Sequence, residues 1–558
     1  MDNSKEKIAS IVRGALVKTA TDAGVALPDD TSILVERPKT ESRGDWATNA
    51  AMKFSKLFGL KPLDLAAKLE AEIERGSVIE EIEIVPPGFL NFRLTDNWIA
   101  ETIGTVIERG EAYGSSGLGK GKRVQVEFVS ANPTGPLHLG HGRGGAVGDV
   151  LSRILSFSGW NVEREYYIND AGSQMENLGK STQSRYFAMY ERGDEAPFPE
   201  DGYPGDYIDG IARAIAEEHG NQLLTMPLCE TLPLFRDKTC ELVLAMIERD
   251  LADFGIKFDV WFSEKSLYND DLVDRTIARL KSNGYAYDHE GAVQFRATAF
   301  GDDKDRVMIR SNGAPTYFTS DTAYLLNKYE REFDLLIYIW GADHHGYVPR
   351  IRSVNKALGK DDASLDFLLI QFVSLLRDGE PVAMSKRAGT FVTLREVMDE
   401  VGRDATRFSF VNRKCDSHLD FDLEVAKKTS ADNPVYYVQY AHARICSILR
   451  EAESRGISVP ELSSVDLGLL RDPSEAKLVK ELSRFPEEVA SAASNLEPHR
   501  IAFYATALAE AFHAFYNKGK VLGESRDITN ARLILAEASR ITIANALRLL
   551  GVSAPEKM

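Results

Sequence analysis

The residues best placed to do chemistry in this sequence begin with a histidine pair, His138-Leu-Gly-His141. Asn132-Pro133 and Gly135-Pro136 before it are turn formers that rule out continuous helix, whereas Val147, Val150, Leu151, Ile154 and Leu155 after it recur at helical spacing. The spacing predicts a helix opening near His138 or Leu139 and running to about Ser158. Both imidazoles then stand at a helix N-terminus, where free backbone N–H groups and the positive end of the dipole attract an anion. Gly140 between them leaves room for a phosphate or a flat ring against the backbone. Upstream, Val124, Val126 and Phe128 alternate with Gln125 and Glu127, the pattern of a strand with two distinct faces. Open α/β sheets bind ligands beyond the carboxyl ends of their strands. Four polar sets meet that condition: Glu127, Ser130 and Asn132 with the two histidines; Asn169 and Asp170; Asp343, His344 and His345; and the loop Val382-Ala-Met-Ser-Lys-Arg-Ala-Gly389, which holds Met384, Ser385 and Lys386.

Positioning these sets requires a layered framework. From Val124 onward predicted strands alternate with helices, as in a parallel sheet covered on both faces. Glu163–Ile168, Leu335–Trp340 and Phe367–Leu376 are expected strands, and the looser pattern over about 175–300 reads as an insertion. Residues 116–430 are therefore expected to form one catalytic α/β domain. Residues 1–115 read as an α+β module, with strand-like Ser32–Glu36, helices over Trp46–Phe58 and Pro62–Ile73, and two strands around Pro87-Gly88. Tyr113–Lys122 has the Gly/Ser-rich character of a linker. Residues 431–558 carry helical stripes only, which predicts an all-α bundle.

Composition narrows the function. The 558 residues carry a net charge of −17, which argues against a surface that grips nucleic acid everywhere. The stretch 441–558 is balanced, with 15 basic and 15 acidic side chains, so a nucleic-acid partner held locally stays compatible. The four cysteines are widely spaced without a CxxC pair, so neither a disulfide framework nor a zinc ribbon is expected. No signal-like start and no long apolar run is evident, and a cytoplasmic protein outside the membrane is expected.

Taken singly, the His-Leu-Gly-His and Met-Ser-Lys-Arg stretches are weak signals; in this order on an α/β framework they resemble the HIGH and KMSKS signatures of class I aminoacyl-tRNA synthetases. That resemblance implies attack of an amino acid carboxylate on the α-phosphate of ATP, with His138, His141, Ser385 and Lys386 stabilising the charge that develops. His138, Gly140, His141, Met384 and Lys386 are the implied ATP contacts, Mg²⁺ travels with the nucleotide phosphates, and no structural metal is expected. The first lysine of KMSKS is missing, Ala383 standing in its place, and Lys120, Lys122 or Arg123 is a candidate substitute.

Over nearly the whole chain the surroundings resemble arginyl-tRNA synthetases of bacterial type. The matching stretches are Val126–His141, Tyr167–Gly172, Tyr317–Asp321, Gly341–Gly346, Asn433–Arg444 and Leu549–Met558. The implied fold is α/β: a class I Rossmann-type parallel-sheet catalytic domain with an insertion, an N-terminal α+β module and a C-terminal helical anticodon-binding bundle. By resemblance, arginine meets Glu127, Ser130, Asn132, Tyr317, Asp321 and His344. A planar, permanently charged guanidinium suits carboxylates beside an aromatic face. Trp46 and Asn49 in the first module, with Tyr436, Tyr440, Arg444 and Met558 in the last, are the implied contacts to tRNA, by base stacking and charge. The implied enzyme is a monomer using ATP, L-arginine and tRNA(Arg), and its activation step needs tRNA. Other readings stay open: Tyr317/Asp321 as a plain helix start, Trp46 as core, the tyrosines as bundle packing, and Asp343–His345 as metal ligands of a phosphoesterase. At the level of the whole chain the alternatives are an RNA-free nucleotidyl-transfer enzyme and an RNA-binding paralogue without catalysis.

Overall fold

Strands in the middle of a parallel sheet are buried on both faces and need apolar runs, and crossover helices return each strand to the same direction. The computed structural model, which describes residues 3–558 apart from 39, 41–42, 77, 96, 270, 383–391 and 524, is built on such a sheet. Its strands are β1 (Arg123–Glu127), β2 (Asn161–Ile168), β3 (Val260–Ser263), β4 (Leu335–Gly341) and β5 (Leu365–Ile370), all parallel, in the order β5-β4-β1-β2-β3. The order reverses between β1 and β4, which sets the crevice past Glu127 and Gly341 as the ligand position. Tyr338 of β4 lies beside Glu127 across that switch.

Several expectations change. Val260–Ser263 belongs to the central sheet, although it falls inside the stretch read as an insertion. Phe367–Leu376 is two strands, not one: β5 ends at Ile370, and Val373–Arg377 pairs with Leu419–Asp422 in a separate small sheet. The break has a cause, since the Gln371 carbonyl accepts from Arg143 at 2.7 Å and its N–H donates to the Cys415 carbonyl at 2.9 Å. Gln125 and Glu127 are buried, so the polar face of β1 is covered like its apolar one, as expected for a sheet covered on both faces.

The covering elements are α1 (Leu139–Phe157) on one face and α2 (Tyr317–Glu330) on the other. Close approach of α1 depends on Gly148, where a Cβ would lie 2.3 Å from Phe128 Cγ. Helix α3 (Arg403–Val411) then leads to the bundle of α4 (Pro434–Ser454), α5 (Pro473–Ser494), α6 (His499–Lys518) and α7 (Arg526–Leu550). One continuous core runs from Val126 and Phe128 through Val150 and Ile154 of α1 to Phe408 of α3 and Leu547 of α7, so the sheet and bundle are packed together rather than tethered.

The first module has its own core around Ile8, Leu16, Trp46, Leu65 and Phe92. Its sheet runs Val35–Glu36, Trp46–Thr48, Phe89–Leu94, Ile79–Val85. Trp46 starts a strand and not the expected helix, because Trp46 and Thr48 alternate into the core; the helix runs only over Ala50–Phe54. Helix Asn97–Arg109, inside the module as read from sequence, instead packs Ile99, Ile103 and Val106 into the core shared by sheet and bundle.

Candidate active site

Beyond β1 the chain turns through Val129 and Ser130, both at positive φ (65° and 39°), a conformation that costs about 1–3 kcal/mol for each such residue. The turn aims Ser130 back at the strand. Its hydroxyl donates to Glu127 Oε1 at 3.3 Å and accepts the Tyr167 N–H at 3.1 Å, joining the ends of β1 and β2. His138 then caps α1: its Nδ1 accepts the N–H groups of Gly140 (3.0 Å) and His141 (3.4 Å), while His141 Nδ1 accepts the His138 N–H at 3.4 Å. The two rings stack at 3.6 Å. With both Nδ1 atoms accepting, the proton of each neutral ring sits on Nε2, so each presents a donor there.

The chain just after the second motif returns to the same spot. Leu394 N–H donates to the Leu137 carbonyl at 2.7 Å, and Thr393 faces His138 in a short antiparallel bridge. Ahead of the loop, Arg143 of α1 ties down Gln371 and the Lys414 carbonyl (2.9 Å). Met384, Ser385 and Lys386 lie outside the described residues, between these two anchored ends. Lys120, Lys122 and Arg123 do not meet the crevice: Arg123 opens β1, whose other end carries Glu127, so those cations sit at the wrong end of the sheet to replace the absent lysine.

Beside the histidines lies a buried charged pocket. Lys328 of α2 places its ammonium 2.5 Å from Glu127 Oε2 and over the rings of Tyr338 (4.0 Å) and Tyr324 (4.4 Å). Arg331 holds Glu165 at 2.5 Å, and Gln125 bridges Glu163 and Glu165 at 3.1 Å each. This network is charge-compensated. Asp321 and Glu264 are not: among the described residues no lysine or arginine makes an ion pair with either. Burial, with the neighbouring charges of Glu264 and Glu127, pushes the Asp321 carboxyl up to about 7 even though the Tyr347 hydroxyl donates to it. Burial likewise raises Glu264, which accepts from Tyr268 at 3.4 Å. The Tyr167 hydroxyl is pushed up by burial and by the charges of Glu264, Asp321 and Glu127 together, which marks it as lying among the three carboxylates.

Glu264, Tyr347 and Lys328 were not singled out from sequence. Glu264 follows β3 directly, so the rule that ligand residues sit just past strand ends reaches it once Val260–Ser263 is recognised as a strand. The other predicted pocket residues are more open. Tyr317 is 66% exposed at the start of α2, with its hydroxyl 3.6 Å from where a Cβ on Gly172 would lie. Asn132 donates to Gln174 Oε1 at 2.8 Å. His344 is exposed, 3.8 Å from Asp343.

The predicted outer contacts separate. Trp46 is 1% exposed, donates to Ser4 Oγ at 3.3 Å and lies under the Arg37 guanidinium, so its ring faces are covered. Phe89 on the Pro-Gly turn is the exposed aromatic of that module. Asn49 precedes the helix Ala50–Phe54 with its buried Oδ1 unpartnered. On α4, Tyr436 and Tyr440 stack at 5.9 Å, Tyr440 meets His513 at 6.0 Å, and Arg444 lies over Tyr440 (4.4 Å) and Tyr516 (4.7 Å), a half-exposed aromatic and cationic surface. His442 turns inward to the Pro555 carbonyl at 2.9 Å, so it is not part of that surface. Met558 is exposed.

Comparison with known proteins follows the same partition. The family "Arginyl tRNA synthetase N terminal domain" matches residues 6–94. "tRNA synthetases class I (R), catalytic domain" matches 102–188 and 230–446, and "DALR anticodon binding domain" matches 438–558. An arginine–tRNA ligase of Citrifermentans bemidjiense is 50% identical over 99% of this chain and 100% of its own. The arginine–tRNA ligase of Bacillus subtilis is 45% identical over 100% of both. The solved Thermus thermophilus arginyl-tRNA synthetase superposes with a TM-score of 0.76 at 23% identity, covering 99% of this chain and 100% of its own, a likeness of fold. Matched by family models over nearly its whole length and by relatives at 45–50% identity, the chain belongs to the arginyl-tRNA synthetase family.

Proposed function

We infer that this chain joins L-arginine to tRNA(Arg) at the expense of ATP, through an arginyl-adenylate. The observation that carries the choice of amino acid is the pair Asp321, partly buried, and Glu264, buried, carboxylates without a cationic partner among the described residues. Burying uncompensated carboxylates is costly, and a guanidinium entering between them and the pocket tyrosines removes that cost while forming charge-assisted hydrogen bonds. Glu127, Ser130, Asn132 and Tyr317 then orient the rest of arginine, with His344 at the rim.

The arginine carboxylate attacks the α-phosphate, the bond to the bridging oxygen breaks, and pyrophosphate leaves. His138 and His141 donate from Nε2 to the phosphate oxygens at the start of α1, with the helix dipole adding to the field. By their place in the second motif, Ser385 and Lys386 supply further donors to the phosphates, and Met384 is the third nucleotide contact of that motif. Mg²⁺ enters as part of the nucleotide substrate. A ribose hydroxyl at the 3′ end of tRNA then attacks the adenylate carbonyl and releases AMP. Phe89 replaces Trp46 as the stacking aromatic of the first module, near Asn49, and the Tyr436–Tyr440–Arg444 surface with Met558 meets the anticodon loop. The enzyme works in the cytoplasm as a monomer, and tRNA occupancy is required for activation. ATP–pyrophosphate exchange tests this reading: arginine supports exchange once tRNA(Arg) is added, and strong exchange with arginine alone contradicts the tRNA requirement.

A further inference from the structure

We infer that Arg407 is a positioning residue that sets α1, and with it His138 and His141, according to the state of the RNA-binding bundle. It rests on the tRNA-charging reaction proposed above. Arg407 lies on α3, fully buried, and its guanidinium is shared among three units. Nη2 meets Asp149 of α1 at 2.5 Å; Nη1 donates to the Phe254 carbonyl, just past the long helix that precedes β3, at 2.8 Å; Nη2 and Nε donate to the Leu550 carbonyl at the end of α7, at 3.2 and 3.3 Å. Arg153 of α1 makes a second, longer link to the bundle, its Nη1 donating to the Arg548 carbonyl of α7 at 3.5 Å.

The surroundings keep that group in one place. Asp149 also accepts from Arg153 at 2.7 Å, and Arg153 donates on to the Gly255 carbonyl at 3.3 Å. Asp404, one turn before Arg407, accepts from Gln439 of α4 at 2.9 Å and from the Ser553 N–H at 3.1 Å, so α3 is tied to the bundle at both turns. Gly551 makes the approach possible: a Cβ there would lie 2.2 Å from Arg407 Nη2 and 2.7 Å from Cζ. A guanidinium has a rigid fork, so a shift of the α7 end moves all its hydrogen bonds together instead of one. Displacing α7 therefore pulls on Asp149 in the middle of α1, nearly three turns from its N-terminus. A displacement of reacting groups by about 1 Å is enough to cost about 100-fold in rate.

Gly551→Ala is the discriminating variant, with Gly456→Ala as its control. Both glycines have left-handed backbone (φ 66° and 70°), so both carry the same conformational strain, but only at 551 does the new methyl strike Arg407. We expect Gly551→Ala and Arg407→Lys to bind tRNA(Arg) transcript and arginine within about 3-fold of the parent while kcat for charging falls about 10- to 100-fold; Gly456→Ala keeps its kcat. Amide hydrogen exchange of the unmodified full chain is the second measurement. Transcript binding should raise protection across α1 and α3, and Gly551→Ala should lose that increase. Unchanged kcat in Gly551→Ala, or no change in α1 protection when the transcript is bound to the unmodified chain, overturns the inference. Failure of the unmodified chain to bind transcript would instead remove the proposed reaction.

Discussion

Lys328 and Glu127 form a buried ion pair at 2.5 Å, on neighbouring elements directly beneath the turn that leads to His138. Breaking such a pair leaves a charge stranded in the interior. Lys328→Met is expected to cost about 3–5 kcal/mol in urea unfolding, and Lys328→Met/Glu127→Gln to recover more than half of it, because the uncompensated charge is then gone. Equal stabilities of the two variants would show that Lys328 does not serve Glu127.

Asp321 gives a pH signature. Its carboxyl titrates at about 7 in the free protein, and only the ionised form attracts a guanidinium, so kcat/KM for arginine should fall about ten-fold per pH unit below that value. Asp321→Asn should abolish this acid limb and lower kcat/KM for arginine about 100-fold, with little change in the KM for ATP. An unshifted acid limb in the variant assigns the titration to another group.

The same shift has a stability consequence. A carboxyl raised on folding contributes stability below its unfolded range, and that contribution is lost as the pH rises toward 7. The ligand-free Asp321→Asn variant should therefore melt above the parent at pH 8, with the gap closing toward pH 4. A variant that melts lower at every pH would show that the carboxylate is stabilised in the empty pocket.

His138 caps α1 and is proposed to act in catalysis, and substitution can separate the two. Asn is a strong N-cap, so His138→Asn should stay within about 0.5 kcal/mol of the parent in stability while losing about 100-fold in kcat; His138→Ala should lose both. Retained kcat in the Asn variant would leave His138 as a cap alone.

The part legible in the sequence was the part written by local pattern. The capped start of α1, the apolar run of β4 and the strands around Pro87-Gly88 follow from turn formers and periodicity. What escaped depends on distant partners. Val260–Ser263 is a four-residue strand whose place is fixed by Tyr166 and Tyr167, paired with its Trp261 and Phe262 from the neighbouring strand, and without it Glu264 had no strand end to follow. The alternation of Gln125 and Glu127 with apolar residues marked a strand with two distinct faces, but nothing nearby in sequence announces that Lys328 and Arg331, some 200 residues on, neutralise the polar one. Trp46 is covered by Arg37 and Ser4, contacts between separate elements of one module.

We propose that the uncompensated acidic pocket beside His138 and His141 selects arginine for transfer to RNA. Charging of total tRNA with each amino acid in turn, in the presence of ATP and Mg²⁺, tests it most directly. Stable incorporation of arginine alone, abolished by omitting ATP, is expected; incorporation of a different amino acid, or none despite tRNA binding, would overturn this assignment.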